Sequence, residues 1–484
     1  MCLTRNATTM RLAFARRQAI VQLMFTSTVL ALLLVQPLRA NDAPLAVATV
    51  AANETTSLCT FDPASLASLQ LGDAFPPAFA ALGAHIDAKS RARFAAMQLV
   101  RRACDASGEL FVFEHPQAQA VHASLLLRDG RVVGTIESGG DLRIALTSRS
   151  TGRSQYRVEH ASLDSMCASD ELAAPSNKPR DVPLVPGEGG VAGTCSAINT
   201  VDIFICYTDA AVAQAGSETG ILDSINFAVA DSNSIYSASG ITLTMRLVGT
   251  RRMTGYVEAS SMSSDLYALR DGSDGLLDSA VVARDLYGAD LVSLIRADGG
   301  GACGIAWLGG GESNSGYAFN VVALGCIAGR TFTHECGHNM GCCHAPGDGG
   351  GCTSGGYFPY SVGHRFTGTN GSQYRTVMAY TPGTRIPRFS SPTTIYQGTA
   401  TGLVDERDNA RSIQELRANF TAYRPCACVG DLDGDATVGA SDLALLLSAW
   451  GVIEVGGASY DYDGSGANDG GDLAALLANW GPCS

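Results

Sequence analysis

The order of hydrophobic and polar residues divides this chain into stretches of different structural type. Between about 41 and 190, short apolar or alternating runs are separated by turn residues, which is typical of β-strands. Three such runs are Ala123–Leu127, Val132–Ile136 and Leu142–Leu146. The pattern predicts a β-rich unit. The Pro- and Gly-rich stretch from Ala173 to Thr194 predicts an exposed linker after it.

The stretch from about Cys195 to Pro425 interleaves two kinds of pattern. Apolar residues at helical spacing predict a helix over Glu218–Tyr236 and mainly helical structure over Asp265–Tyr287. Alternating or continuously apolar runs predict strands at Val201–Thr208, Ile241–Val248, Ala289–Ile295, Gly304–Leu308 and Asn320–Leu324. We therefore expect a second, larger domain in which helices alternate with strands.

The last stretch, from about 426 to 484, repeats its own pattern with an offset of 30 residues, as from Asp431 to Asp461. Each copy has an acidic loop followed by a leucine-rich helix pattern that reaches a tryptophan, Trp450 or Trp480. Oxygen ligands at positions 1, 3, 5, 7 and 12 of such a loop are what Ca²⁺ requires. The pattern predicts two calcium sites, with Asp431, Asp433, Asp435, Thr437 and Asp442 in the first and Asp461, Asp463, Ser465 and Asp472 in the second. The alternative is a pair of acidic turns that hold no metal.

The N-terminus has the composition of an export signal. Arginines precede an apolar run from about Ile20 to Val35, and Ala40 follows as a plausible cleavage position. A membrane anchor is the alternative, but Gln22 and Thr26 interrupt the run, so it would span a bilayer poorly. We expect residues 1–40 to be a signal peptide, and the mature chain to be secreted or cell-surface with no stable membrane span.

Composition agrees with an extracellular multidomain protein. A chain of 484 residues exceeds one ordinary domain. Its fifteen cysteines suit an oxidising compartment, so disulfides are expected. The formal charge of −13 argues against a nucleic-acid partner, which would require a basic face.

The densest chemistry lies in the stretch from His334 to His344. His334 and His338 are four residues apart, a spacing that places both imidazoles on one face of a helix, and Glu335 lies beside them. Gly341 lets the chain leave the helix, because glycine accepts a positive φ, so His344 can return as a third ligand. Three imidazoles and a water form a zinc site with an open position, and Glu335 is placed to act as general base on that water. A helix that carries histidines by chance is the alternative.

This stretch resembles that of the metzincin zinc endopeptidases, and the likeness is closest to the adamalysin/reprolysin branch. It covers about 195–425 and implies an α/β catalytic domain with a twisted mixed sheet, a zinc helix and a Met-turn. The resemblance assigns Met378 as the apolar floor under the imidazoles, and Gly304–Leu308 as an edge strand that aligns substrate. It leaves Tyr380 as either an extra ligand or oxyanion hydrogen-bond donor, or a core tyrosine. Ala345 follows the third histidine where many adamalysins carry aspartate, so the branch is not fixed.

By the same resemblance, residues 41–194 are a β-rich prodomain with its linker. A prodomain has to occupy the open zinc position until secretion is complete. Cys167 could do so as a thiolate latch, or it could form a disulfide with Cys59 or Cys104. Residues 426–484 resemble a dockerin module, which is small and α-helical and would imply a cohesin-like or cell-surface partner.

These observations predict a secreted, zinc-dependent endopeptidase with one catalytic zinc, whose zinc-activated water attacks a protein or peptide substrate with Glu335 as general base. Two alternatives belong to other classes. One is a calcium-dependent binding or assembly protein whose metzincin domain is a silent scaffold, and the other is a zinc hydrolase of non-peptide amides.

Overall fold

The structure is a computed structural model of the full chain. It describes residues 56–80, 86–139, 142–160, 199–349, 355–425, 427–433, 435–452, 460–462, 465 and 467–483. The predicted signal peptide and Cys167 lie outside these residues, as do most of the predicted linker and Asp463. No helix in the described parts of the chain is long and apolar enough to cross a membrane.

The N-terminal part is one antiparallel sheet with short helices on one face. Its elements are β1 Thr56–Thr60, α1 Pro63–Ala67, α2 Pro77–Ala80, α3 Ala88–Ala95, β2 Gln98–Asp105, β3 Gly108–His115, β4 Ala118–Arg128, β5 Arg131–Ser138, β6 Leu142–Ser150 and β7 Arg153–His160. The seven strands lie in the order β1-β7-β6-β5-β4-β3-β2. The three strand runs predicted here lie within β4, β5 and β6.

The central part is a mixed sheet between helices. Its elements are β8 Thr200–Thr208, α4 Asp209–Ala215, α5 Glu218–Ala238, β9 Thr244–Met253, α6 Met262–Arg270, α7 Asp278–Leu286, β10 Leu291–Arg296, β11 Gly304–Ala306, β12 Phe319–Ala323 and α8 Thr331–Asn339. Strands β9, β8, β10 and β12 run parallel, and β11 pairs antiparallel with β12 as an edge of the sheet. The sheet is mixed, as predicted for the catalytic domain.

Two predicted elements have different bounds in the structure. The strand expected at Ile241–Val248 is displaced to β9, because Ile241 and Leu243 are buried in the turn after α5 and pairing with β8 continues to Met253. The helical stretch from Asp265 is two helices, α6 and α7. The chain between them turns at Asp271, whose side chain accepts hydrogen bonds from Ser273.

After α8 the chain forms short strands and one helix. These are β13 Arg365–Thr367, β14 Gln373–Arg375, β15 Thr384–Arg385, β16 Ile395–Tyr396, β17 Thr399–Ala400 and α9 Asn409–Phe420. The C-terminal part contains β18 Thr437–Val438, α10 Ala440–Ser448, β19 Gly451–Val452, β20 Ala467–Asn468, α11 Gly470–Ala478 and β21 Gly481–Pro482. Its fully buried apolar side chains are Val438, Leu446 and Leu476, which make a very small core.

Helix α5 joins the N-terminal sheet to the central sheet. It begins after Ser217, whose hydroxyl accepts a hydrogen bond from Gly220 N–H, and its buried residues span nearly all of its faces. Apolar residues of β3, β4 and β5 share one continuous core with α5, with the zinc-motif helix α8 and with α9. The N-terminal sheet is therefore packed into the same core that supports α8.

The cysteines are partly oxidised. Disulfides join Cys303 to Cys326 and Cys428 to Cys483, and Cys104 and Cys343 are also disulfide-bonded. Cys59, Cys206, Cys336 and Cys342 are buried free thiols. Because Cys59 is free, the predicted alternative of a disulfide between Cys167 and Cys59 is wrong.

Candidate metal centre and active site

Helix α8 brings the three predicted histidine ligands to one point. The Nε2 atom of His334 lies 3.0 Å from Nε2 of His338 and 3.1 Å from Nε2 of His344. All three side chains are buried. Within the described residues, these histidines form a group whose ligand atoms could hold one metal ion.

The far nitrogen of each ring is fixed by a backbone carbonyl. Nδ1 of His334 lies 2.9 Å from Val377 O, Nδ1 of His338 lies 2.7 Å from Cys342 O, and Nδ1 of His344 lies 3.0 Å from Gly349 O. A carbonyl oxygen only accepts, so each Nδ1 carries the proton and donates it. The lone pair on each Nε2 therefore points toward the other two Nε2 atoms.

That arrangement fits a divalent cation. Three lone pairs about 3 Å apart repel one another unless a cation lies between them, and Zn–N bonds of about 2.0–2.1 Å match this spacing. Burial and the neighbouring His338 and His344 lower the pKa of His334 well below its usual value, which favours the neutral, ligating form. The hydrogen bonds at Nδ1 orient the rings in the way usual for metal-bound histidines.

The turn after α8 depends on Gly341. Its φ is +89°, and a Cβ there would lie 2.9 Å from the Leu416 side chain and 3.0 Å from that of Tyr357. The helix end is also fixed to the sheet, because the Asn339 amide donates to Trp307 O at 2.9 Å and to Phe319 O at 3.0 Å. Rigid attachment of this turn places His344 against the two helical ligands.

Met378 packs against α8 between its two ligands. A Cβ on Gly337 would lie 2.7 Å from Met378 Sδ, so the thioether occupies the space that glycine leaves. The preceding residue, Val377, supplies the carbonyl that orients His334. The structure thus places the Met-turn residue next to the helix that carries two of the ligands.

Glu335 lies between α8 and the edge strand β11. It is fully buried, and a Cβ on Gly304 would lie 2.7 Å from its carboxyl carbon. A small pocket beside the ligands is lined by Cys303, Gly304, Thr331, His334, Glu335, Tyr380 and Arg385. The carboxylate therefore faces the same small space as a ligand ring and the edge strand.

Tyr380 lines this pocket as a half-buried residue. Its ring centroid is 4.0 Å from that of His344 and 5.9 Å from that of His334. Its N–H donates to Asp348 Oδ2 at 2.8 Å, and Arg365 also binds Asp348. Tyr380 is therefore placed beside the ligands rather than inside the core.

The cysteines within the motif point elsewhere. The Cys336 thiol lies 3.7 Å from the Asn320 amide, and the Cys342 thiol lies 3.8 Å from Asn409 O. Burial raises the pKa of both thiols, so they stay neutral. These contacts support a ligand set made of histidines alone.

The C-terminal acidic residues are brought together only in part. Side-chain oxygens of Asp431, Asp433 and Asp435 lie within 4.8 Å of one another. Asp442 lies outside that group, and its carboxylate accepts backbone N–H groups from Leu432 at 2.6 Å, Asp433 at 3.1 Å and Gly439 at 2.6 Å. Thr437 donates its N–H to Asp435 at 2.8 Å. The first loop is thus an acidic cluster closed by Asp442.

In the second loop, too, a buried aspartate accepts hydrogen bonds from backbone N–H groups. Asp472 is buried and accepts from Tyr462 N–H at 2.6 Å and from Asp469 N–H at 2.7 Å. Asp461 accepts from Ser465 N–H at 2.9 Å. In both repeats, the residue predicted as the last ligand serves as a backbone acceptor that joins loop to helix.

Sequence reasoning did not predict a pocket role for Cys303, Thr331 or Arg385, nor the contact between Gly304 and Glu335. Arg385 lies 41 positions past His344 (385 minus 344) in a stretch with no motif, and it reaches the pocket because β15 pairs with β14. Gly304 was expected only as part of an edge strand, whereas its missing side chain makes room for Glu335. No local signal reveals either contact, since both depend on tertiary packing.

Comparison with known proteins gives the same assignment as the site. Residues 197–390 match the domain described as Metallo-peptidase family M12, Reprolysin_5. The chain is 31% identical over 313 residues to a peptidyl-Asp metalloendopeptidase of Stenotrophomonas maltophilia (strain R551-3), which covers 62% of this chain and 70% of that protein. A peptidyl-Asp metalloendopeptidase of Xanthomonas campestris pv. campestris is 29% identical over 317 residues, covering 63% of this chain and 70% of that one.

One solved structure, metalloproteinase-II from Bacteroides fragilis, is similar over 51% of this chain and 77% of that chain. The identity is 11% and the TM-score 0.30, values too low to carry an argument. The sequence relatives carry the assignment instead, because one of them exceeds 30% identity over most of its own length. This chain belongs to metallo-peptidase family M12 and is a zinc metalloendopeptidase.

Proposed function

We propose that this protein is a secreted endopeptidase that holds one zinc ion with His334, His338 and His344 and cleaves peptide bonds beside aspartate residues. The convergence of three Nε2 lone pairs, each ring held at Nδ1 by a carbonyl, carries the proposal. The aspartate preference rests on the names of the relatives, which are peptidyl-Asp metalloendopeptidases.

The chemistry divides between the metal and the chain. Zinc, when bound, polarises the substrate carbonyl and lowers the pKa of a bound water. Glu335 takes the proton of the attacking water and delivers it to the departing amine, because it is buried beside the ligands and faces the pocket. In this proposal Tyr380 donates a hydrogen bond to the developing oxyanion, a role that its position beside the His344 ring supports.

Strand β11 orients the substrate in this proposal. It pairs with β12 on one side and forms the edge of the sheet on the other. An extended peptide that adds to this edge lies directly over Glu335, because Gly304 contacts that carboxylate. Backbone pairing supplies affinity there without regard to most substrate side chains.

The remaining parts of the chain receive supporting roles in the proposal. Residues 1–40 are a cleaved signal peptide, 41–194 an inhibitory prodomain with its linker, and 195–425 a metzincin protease domain of the adamalysin/reprolysin branch. Contacts at the start of α8 support the prodomain role: Arg330 binds Glu137 of the N-terminal sheet at 2.9 Å and also contacts His122. Cys167 remains a predicted latch.

Residues 426–484 are proposed as a dockerin-like calcium module. The three clustered carboxylates of the first loop support one calcium site, since like charges within 4.8 Å favour a divalent cation between them. Asp461 and Ser465 of the second loop, with Asp463, form the second proposed site. A cohesin-like or cell-surface partner would then localise the enzyme.

The test is a digestion of denatured protein by enzyme recovered from the culture medium, with cleavage sites mapped by mass spectrometry. We expect cleavage that 1,10-phenanthroline abolishes, at bonds flanked by aspartate far more often than chance. Chelator-sensitive cleavage with no aspartate preference would remove the specificity from the proposal. A folded, zinc-loaded protein that cleaves nothing would favour the silent-scaffold alternative.

A further inference from the structure

One buried cation in the pocket has no role in the steps above. Arg385 ends β15, is 2% exposed and lines the pocket together with His334, Glu335 and Tyr380. The guanidinium therefore lies beside the side chains to which the proposed function assigns the reaction.

The hydrogen bonding of Arg385 is incomplete. Its Nη1 donates to Gly329 O at 2.9 Å, but its Nε is buried and has no hydrogen-bond partner among the described residues. Within the same part of the structure, no carboxylate lies within ion-pair distance of it. A buried guanidinium without an anion is costly, so an anion completes this site.

The neighbouring arginine shows the contrast. Arg375 pairs with Arg385 in the β14–β15 register and is equally buried. Its Nε donates to Gly383 O at 2.8 Å and its Nη1 to Ala379 O at 2.8 Å, so it fixes the loop between the two strands. Arg375 serves the fold, whereas Arg385 lines the pocket and keeps a donor that the described residues leave unused.

The other cation near the pocket is already neutralised. Arg365 is 26% exposed and forms an ion pair with Asp348, the residue that also holds Tyr380 N–H. Arg385 is thus the better placed of the two to bind an incoming anion. A guanidinium binds a planar acceptor through two parallel hydrogen bonds, and a carboxylate is such an acceptor.

We propose that Arg385 is the specificity-determining residue of this enzyme, binding the carboxylate of the aspartate beside the scissile bond. The inference rests on the proposed function, and it gives the aspartate preference a physical cause. The space beside Arg385, Glu335 and Tyr380 is narrow, which favours the shorter of the two acidic side chains. Glutamate is one methylene longer, so its carboxylate would not reach Arg385 in the same position and a glutamate peptide should be cleaved less well.

The experiment compares two peptides that differ only in having Asp or Asn beside the same scissile bond. We measure the ratio of their kcat/KM values for wild-type enzyme and for Arg385→Gln, Arg385→Lys and Arg388→Gln, each matured from the full chain. Arg388 is the matched control because it lies in the same segment but pairs with Glu114 at 3.6 Å. Zinc content is measured in every sample to show that the site is intact.

We expect the Asp/Asn ratio to fall about 10- to 100-fold in Arg385→Gln, because a hydrogen-bonded charge pair is lost. Activity on the Asn peptide should change little, Arg385→Lys should keep part of the ratio, and Arg388→Gln should keep all of it. A structural role alone would lower activity on both peptides equally and leave the ratio unchanged.

The outcomes separate this inference from the proposed function. If the wild-type enzyme cleaved the Asp and Asn peptides with nearly equal kcat/KM values, it would have no aspartate preference, and the proposed specificity would be wrong. A high wild-type ratio that survives in zinc-loaded Arg385→Gln would overturn the role of Arg385 alone. If Arg385→Gln does not fold, the test rests on Arg385→Lys. A lysine variant that kept the full Asp/Asn ratio would contradict the proposal that the guanidinium binds the substrate carboxylate.

Discussion

The histidine cluster and the C-terminal acidic cluster differ in how firmly the surrounding protein holds their side chains in place. At the histidines, carbonyls of the core residues Val377 and Cys342 and of the loop residue Gly349 orient the three rings, so the protein itself supplies the geometry. At Asp431, Asp433 and Asp435, like charges converge in a unit whose buried apolar core is three residues. The first site is preorganised by the protein, whereas the second, if it binds calcium as proposed, would gain stability from the cation.

The largest effect should follow from removing one histidine. In His344→Ala we expect zinc and peptidase activity to be lost together while the fold remains, since His334 and His338 keep their carbonyl partners. Zinc per folded chain and activity are the measurements. His364→Ala, which removes a buried histidine bonded to Arg407 outside the cluster, should keep its zinc.

Replacing the proposed general base, Glu335, should separate chemistry from metal binding. Glu335→Gln retains the shape of the side chain but cannot accept the proton, so kcat should fall by about 10²- to 10⁴-fold with zinc content unchanged. A zinc-loaded variant with undiminished turnover would contradict the proton-transfer role.

A smaller effect should come from the edge strand. In Gly304→Ala the added methyl would lie 2.7 Å from the Glu335 carboxyl carbon, which must move, so we expect up to about a 10²-fold loss of kcat/KM. Zinc content should be unchanged. Gly316→Ala is the control, because no atom lies within 4 Å of a Cβ there.

Calcium removal should have the smallest effect on catalysis. Chelation with EGTA, which favours calcium over zinc, should lower the melting temperature of the C-terminal part and leave peptide hydrolysis unchanged. At a calcium concentration about 100 times the Kd, the expected stabilisation is about 2.7 kcal/mol. Calorimetry with and without calcium measures it, and Asp433→Asn should weaken the response. Equal melting in both conditions would mean that the acidic loops hold no calcium.

The parts that sequence predicted well are those whose geometry is local. His334, Glu335 and His338 lie on one helix, and Gly341 is required by a positive φ, so spacing alone indicates their arrangement. Strands β4, β5 and β6 were found from apolar patterns that follow burial: β6 alternates because one face packs on the N-terminal core, and β4 and β5 are buried along most of their length. Helix α5 was found within two residues of its end for the same reason.

The parts that sequence missed are set by tertiary partners. Nothing near Arg385 shows that β15 would align it with Arg375 and turn it toward the zinc ligands. The bounds of β9 are set by its pairing with β8. The alternation of apolar residues in this segment does not indicate where that pairing begins and ends. Asp442 and Asp472 occupy positions that a calcium loop fills with ligands, yet each carboxylate is engaged by backbone N–H groups that only the folded loop supplies.

The most direct test of the account is a zinc titration of metal-stripped, folded enzyme, followed by the rate of cleavage of an aspartate-containing peptide. We predict no cleavage without zinc, recovery in proportion to added zinc, a maximum at one zinc per chain, and no recovery with calcium. Cleavage by the metal-free enzyme, or folded protein that binds no zinc, would contradict the claim that His334, His338 and His344 form the catalytic centre.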